Sequence, residues 1–247
     1  MAEELGKIEK PEAEKFSRGR KLLFVPLIFS SPEPDEELSE RLRKYWDEVE
    51  SHVVNLEQKL GSIKKVFHEL VPVGGEEADK VIEELNSASC RIVRSRVEKG
   101  AEILPLEDVD MLTEFMDWSR CLAIGLQNQK VFTRVYEAYM EAHSGRNESI
   151  AKKIGEMLNE DDIGILLMRE GHQVQFPADI EVFYVAPPAL DELKRWLRSR
   201  EVKYTTEEQA TGEEKVEGKS PGDKSEPVEE EQTEGKQREG EPPEGKV

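Results

Sequence analysis

Two uninterrupted apolar runs, Leu22 to Phe29 and Ile163 to Met168, constrain the fold of this chain more than any other feature. Neither run alternates with polar residues, which is typical of strands covered on both faces in a parallel sheet. Pro26 has no N–H group for the sheet and favours an edge or a bulge, against the central position that the apolar run predicts. A second strand is predicted over Ile63–Val73 and a short edge strand over Ala101–Leu106. The chain is therefore expected to fold around a small sheet.

Long amphipathic stretches separate the predicted strands. From Asp35 to Leu60, apolar residues recur at three- and four-residue spacing, which predicts a long surface helix that ends at Gly61. Further helices are predicted over Glu76–Val97, from Glu107 and Asp108, from Lys130 to an interruption at Ser144 and Gly145, from Arg146, and over Ala189–Arg200. Residues 173–185 are interpreted as a hairpin-like return. The expected fold class is α/β and helix-rich, with a small, mainly parallel sheet flanked by long helices.

Composition divides the chain into a flexible leader (residues 1–20), a single α/β domain (residues 21–200) and a disordered acidic tail (residues 201–247). The tail holds 15 acidic and 7 basic residues, and Tyr204 is its only aromatic residue. Such a segment lacks the apolar surface that offsets the entropy lost on ordering. Because the tail contributes −8 to the net charge of −19, residues 1–200 carry −11 and are acidic in their own right.

This charge disfavours nonspecific binding to nucleic acid or to an anionic membrane surface, since both require clustered Lys and Arg. A local basic patch of Arg91, Arg94, Arg96 and Lys99 stays open as an alternative. No apolar run approaches the roughly 20 residues of a membrane-spanning helix. The apolar part of residues 17–31 is short and follows an acidic leader, so a core strand is expected there rather than a signal peptide.

The two cysteines, Cys90 and Cys121, both lie in amphipathic stretches. This placement fits reduced, partly buried thiols better than a disulfide framework. A cytoplasmic location is therefore predicted.

Side chains that carry chemistry are expected to meet at the carboxyl end of the sheet. His68 and Glu69 lie at or near the end of the second predicted strand, and Glu170 and His172 follow the second apolar run. Parallel strands present their carboxyl ends on one side of a sheet, so these four residues are expected to share a cleft and to act as acid and base or to bind a metal. Arg146 would pair with a carboxylate or bind an anionic ligand there. The alternative is that these residues have structural roles only. His68 would then be a half-buried strand residue, residues 170–173 a solvated turn and Arg146 one partner of a surface ion pair.

Motifs with a defined mechanism are missing from the sequence. It has no HExxH, CxxC, GxGxxG, P-loop or GxSxG pattern. It therefore predicts no metal-ligand set and leaves the cofactor unknown.

Two further clusters admit two interpretations each. Glu107, Asp108 and Asp110 are expected to cap a helix and complement its dipole, with metal ligation as the alternative. Trp118 and Arg120, in the segment MDWSRC, fit a pocket or a partner interface as well as plain core packing.

The order of these features resembles that of the TraB/PrgY, ChaN and erythromycin-esterase-like group of α/β proteins. The nearest match is the segment RNESIAKKI from Arg146, which is similar to the Arg-Asn or Arg-Asp helix start of that group. The resemblance implies that Glu69 is the acidic residue after the second strand, Arg146 the helix arginine and His172 the histidine after the late strand. In that group these positions line a centre associated with hydrolytic or metal-dependent chemistry.

Two positions depart from the pattern of the group. After the first strand the group has a Gly and a His, whereas this chain reads PLIFSSPEP. Three residues before the late His the group has a Gly, where this chain has Arg169. The missing first-strand histidine removes a ligand or base that this chemistry would use.

Two hypotheses of function follow. The first is a noncatalytic cytosolic protein of this architecture that binds a small ligand or a protein partner, with the acidic tail as a solubilising or docking segment. The second is a metal-dependent hydrolase that uses Glu69, Glu170 and His172, with Arg146 holding an anionic group of the substrate. The sequence leaves the oligomeric state open, including whether the apolar stripe of residues 35–60 is buried within the chain or against a second copy.

Overall fold

A computed structural model of the chain describes residues 19–29 and 34–213, with side chains as far as residue 200. Most of the predicted leader and the part of the predicted tail beyond residue 213 lie outside the described residues. By its internal contacts the chain divides after Arg198, and beyond Arg200 the second unit is described only as helical backbone up to Glu213.

Within the described residues, five strands form one sheet and six helices accompany it. The strands are β1 (Arg20–Pro26), β2 (Lys65–His68), β3 (Glu102–Ile103), β4 (Ile163–Met168) and β5 (Ile180–Tyr184). The helices are α1 (Glu36–Leu60), α2 (Gly75–Leu85), α3 (Ser87–Val97), α4 (Val109–Ala123), α5 (Gln129–Met157) and α6 (Pro188–Glu213). The predicted α/β, helix-rich class is confirmed. None of the helices in the described part of the chain has the length and apolar character needed to cross a membrane.

All strands of the sheet run parallel in the order β3-β2-β4-β1-β5. β1 is therefore an interior strand, and its Pro26 is tolerated because it is the last residue of the strand, opposite Met168. The hairpin-like return predicted after β4 is wrong, because β5 runs parallel to β1 with Arg20 opposite Ile180. The segment between β4 and β5 carries the chain back to the amino end of the sheet, where Arg20 pairs with Asp179 at 2.5 Å.

The two faces of the sheet bury separate apolar cores. On one face Leu23 and Val25 of β1 belong to a core that also contains buried residues of α1, α2, α3 and α6. On the other face Leu22 and Phe24 belong to a second core that contains buried residues of α5. The apolar stripe of α1 is buried within the chain, since Tyr45, Trp46, Val49 and Val53 all belong to the first core.

Several predicted boundaries differ in the structure. The single helix predicted over residues 76–97 is two helices, because the Asn86 side chain accepts the Ser89 N–H at 2.9 Å and starts α3. The predicted break at Ser144 and Gly145 is wrong, since α5 continues through both residues. Arg146 therefore lies inside a long helix rather than at its start. β2 ends earlier than predicted, because Leu70 adopts a φ of +67°.

Candidate functional site

A cavity of about 230 Å³ lies at the carboxyl end of the sheet. Its wall comes from the ends of β2 and β4 and from one side of α4 and α5, and the lining residues are Glu69, Phe115, Tyr139, His143, Arg146, Met168, Arg169, Gly171 and His172. Glu69, Arg146 and His172, which the sequence singles out, are therefore brought together around one cavity. His68 and Glu170 are absent from its lining residues.

Glu69 is a buried carboxylate held by two arginines. Its Oε2 accepts the backbone N–H of Arg169 at 2.9 Å, and the Arg169 guanidinium donates from Nε and Nη2 at 2.9 to 3.2 Å. Arg146 Nη2 adds a further contact at 3.3 Å. Burial opposes ionisation, but the bonds from Arg169 and the charge of Arg146 outweigh it and hold the pKa of Glu69 below its usual range. At neutral pH the group is an ionised acceptor with its oxygens already occupied.

Arg146 is fixed in the helix interior by a second buried carboxylate, Glu107. Its Nε lies 3.0 Å from Glu107 Oε2, its Nη2 bonds Glu107 Oε1, and its guanidinium stacks 4.9 Å from the Phe115 ring centroid. Glu107 Oε1 also accepts the N–H of Leu70 at 3.0 Å. The unusual backbone of Leu70 thus turns the chain after β2 toward this ion pair.

Of the acidic cluster at the start of α4, only part acts as predicted. Asp108 caps α4 by accepting the N–H groups of Asp110 and Met111, both at 3.1 Å. Glu107 instead faces the interior and pairs with Arg146, which the sequence did not predict. Glu107 lies four residues after the end of β3, whereas Glu69 directly follows β2, so the position of Glu107 provides no matching signal.

His172 is half-buried between Phe24 and Phe176, at ring-centroid distances of 4.9 and 5.7 Å. Its Nδ1 accepts the N–H of Val174 at 3.2 Å, so the neutral ring carries its proton on Nε2. Burial lowers the pKa of His172, although the charge of Glu69 partly opposes this. The ring is therefore a neutral donor on the cavity wall at pH 7.

His143 and Tyr139 extend the wall along α5. Their rings stack at 5.8 Å, and each contacts Phe115 at about 5.5 Å. Burial, together with the charges of Arg146 and Arg169, lowers the pKa of His143. Sequence reasoning missed both residues because the predicted helix break at residues 144–145 separated them from Arg146, whereas in a continuous helix all three share one side.

His68 lies on the opposite face of the sheet from Glu69, as the alternation of side chains along a strand requires. Its Nδ1 lies 2.7 Å from the Glu69 carbonyl oxygen, and its Nε2 lies 3.0 Å from Ser89 Oγ of α3. Complete burial lowers its pKa to about 4. His68 is thus a neutral interior residue that ties β2 to α3.

Glu170 is engaged away from the cavity. It accepts from the Tyr184 hydroxyl and pairs with Lys194 Nζ at 2.5 Å. The arrangement in which Glu170 works beside Glu69 and His172 is therefore not formed.

The predicted basic patch is neutralised by carboxylates. Arg91 pairs with Asp47, Arg94 with Asp79 and Glu83, Arg96 with Glu50 and Glu57, and Lys99 with Glu57. Arg96 is also fully buried, so it is not part of a surface patch.

Among the described residues, no three His, Cys, Asp or Glu side chains are grouped so as to hold a metal ion. Comparison of the chain with family models, with curated proteins and with solved structures found no match.

Proposed function

We propose that this chain is a noncatalytic binding protein whose cavity takes a small anionic ligand. The observation that carries the proposal is the state of Glu69. A general base needs a free lone pair and a pKa near the working pH. Glu69 has neither, because Arg169 and Arg146 occupy its oxygens and lower its pKa.

The remaining hydrogen-bonding capacity of the cavity wall is rich in donors. Among the described residues, no hydrogen bond uses Arg169 Nη1, His172 Nε2 or the Tyr139 hydroxyl. The Arg169 side chain is 48% exposed, so solvent reaches its guanidinium. Carboxylate or phosphate oxygens would satisfy such donors with charge-assisted bonds.

The size of the cavity limits the ligand. At about 230 Å³ it lies below the roughly 300–1,000 Å³ of sites for drug-sized molecules. Phe115 and Tyr139 would cover an apolar side of the ligand while the donors hold its anionic group. The ligand class that fits is a small carboxylate or phosphate compound.

The alternative function is a metal-dependent hydrolase that uses Glu69, Glu170 and His172. The bonds of Glu170 to Lys194 and Tyr184 weigh against it, as do the occupied oxygens of Glu69.

Membership of a TraB/ChaN-like fold, a cytoplasmic location and the absence of nucleic-acid binding are also proposed. The parallel sheet supports the proposed fold. The buried thiol of Cys90 supports the cytoplasmic location, and the acidic net charge supports the absence of nucleic-acid binding.

Calorimetric titration of the full chain with inorganic phosphate and with acetate, beside ester-hydrolysis assays with and without divalent metals, separates the two functions. We expect saturable binding of at least one anion and no turnover above the protein-free rate. Tyr139→Phe should weaken binding about fivefold, since one hydrogen bond contributes about 1 kcal/mol. Glu170→Gln, outside the cavity, should leave binding unchanged. Metal-dependent turnover that is lost in Glu69→Gln would establish the hydrolase instead.

A further inference from the structure

Helix α4 and the first half of α5 form a two-helix hairpin, here called the α4–α5 arm (residues 108–141). Its interior is small: Leu112 and Phe115 are the buried residues of α4, and Phe115 meets Tyr139 at 5.5 Å between ring centroids. The buried residues of α5 all lie after the arm, from Arg146 onward. The arm therefore has two helices but very little core of its own.

Large apolar side chains remain exposed along the whole arm. They are Val109, Met111, Met116, Ile124, Val131, Phe132 and Tyr136, with exposures from 36% to 75%. Seven of the ten exposed large apolar residues in the described part of the chain belong to this hairpin. A concentration of exposed large apolar side chains on one element is typical of a protein interaction site.

The charges of the arm are separated along its length. The tip (residues 118–136) holds Arg120, Lys130 and Arg134 and no acidic residue. The base (residues 108–117 and 137–141) holds Asp108, Asp110, Glu114, Asp117, Glu137 and Glu141 and no basic residue. Among the described residues, neither Lys130 nor Arg134 has a carboxylate within salt-bridge distance, while Arg120 pairs with Asp117 at the junction. One arm thus carries both halves of a complementary pattern.

We infer that the partner of the arm is a second copy of this chain, bound antiparallel about a two-fold axis. A two-fold interface brings the same surface together from both copies, so its pattern has to be self-complementary. In the antiparallel orientation each basic tip lies on the acidic base of the other copy, and four helices enclose the exposed apolar side chains. A parallel orientation brings tip to tip and base to base, where like charges repel. The apolar residues supply affinity, and the rim charges fix orientation.

Sedimentation equilibrium of the full chain tests this inference. We expect a concentration-dependent dimer that Phe132→Ser weakens at least tenfold. Val182→Ser, which changes an apolar residue of similar exposure on β5, should have no effect. A wild-type chain that stays monomeric, or a dimer that Phe132→Ser leaves intact, overturns the inference.

Charge exchange tests the orientation. Lys130→Glu with Arg134→Glu changes the charge of the tip from +3 to −1. Asp110→Lys, Glu114→Lys, Glu137→Lys and Glu141→Lys together change the charge of the base from −6 to +2. Each charge-exchanged variant alone should self-associate at least about tenfold more weakly than wild type, since several opposite-charge pairs become like-charge pairs. An equal mixture of the two variants should regain most of the wild-type affinity, because every tip then meets a base of opposite charge. Unweakened variants whose mixture binds more tightly than wild type would show a parallel dimer and overturn the antiparallel one. Melting curves of each variant confirm that these surface changes leave the fold intact.

Discussion

Arg169 and Glu69 are joined through the backbone N–H, Nε and Nη2 of the arginine, at 2.9 to 3.2 Å. The pair locks the residue after β4 to the residue after β2, across the carboxyl end of the sheet. Glu69 is almost fully buried, whereas the Arg169 side chain is 48% exposed. The carboxylate is thus a structural anchor, and the arginine is the part of the pair that a ligand can reach.

The Glu107–Arg146 pair is expected to contribute strongly to stability. Both side chains are at most 3% exposed, and removing one partner of a buried pair costs about 3 kcal/mol because the other charge stays buried. Glu107→Gln should lower the free energy of unfolding by roughly that amount in urea titrations. Glu192→Gln, which breaks an exposed pair with Lys44, should have a much smaller effect, because solvent screens exposed charges. Equal losses in the two variants would contradict a buried pair.

His68 makes stability depend on pH. Its pKa in the folded chain is about 4, below the usual 6.5, so the unfolded chain binds the proton more readily. Its stabilising contribution is complete above about pH 6.5 and is lost as the pH falls toward 4, by about 3 kcal/mol in total. His143 and His172, with lowered pKa values, act in the same direction.

Urea titrations between about pH 6.5 and about pH 4 measure how steeply the free energy of unfolding depends on pH. His68→Gln should make the free energy of unfolding depend less steeply on pH, because glutamine does not titrate. An unchanged slope would mean that His68 is not a neutral buried residue.

The continuity of α5 is tested by two glycines in the same helix. A Cβ at Gly145 would meet only Met111 Cε, at 3.7 Å, so Gly145→Ala should stabilise the chain by about 0.5–1 kcal/mol. At Gly155 the Cβ would lie 3.0 Å from Pro177 Cγ, so Gly155→Ala should gain less or destabilise. Thermal unfolding of both variants measures the difference. Destabilisation by Gly145→Ala would favour the helix break predicted from the sequence.

Elements with strong apolar patterns were predictable from sequence. β4 matches its run at both ends, and α1 begins after Asp35 and ends at Gly61 as its caps predict. The direction of β5 was not predictable, because it depends on how the preceding loop returns to Arg20. The helix break predicted at Ser144 and Gly145 does not form, because tertiary packing overrides the low helix propensity of these two residues.

The site was predictable in part. Glu69, Arg146 and His172 follow from the rule that ligands gather at the carboxyl ends of parallel strands. The same rule grouped His68 with Glu69, although the alternation of side chains along β2 puts adjacent residues on opposite faces. Glu107 is 39 positions away from Arg146 in sequence, and no local pattern announces a buried pair of that separation.

Anion affinity should increase as the pH falls. The lowered pKa values of His143 and His172 leave both rings neutral at pH 7, and protonation below their pKa adds positive charge to the cavity wall. In phosphate titrations at a series of falling pH values, Kd should fall as the two histidines become protonated, once corrected for the ionisation of phosphate itself. His172→Asn should reduce that fall in Kd, and Glu170→Gln should retain it. A Kd independent of pH would exclude a role for the histidines.

The most direct test of the small-anion site is an NMR titration of the His172 ring in the full chain with and without phosphate. If the cavity binds the anion, the His172 signals shift saturably and the pKa of His172 rises, because a bound negative charge favours the imidazolium. The signals of His52, outside the cavity, should stay unchanged. The small-anion site would be contradicted if neither phosphate nor acetate shifts the His172 signals saturably and if His68, His143 and His172 all titrate as they do without the anion.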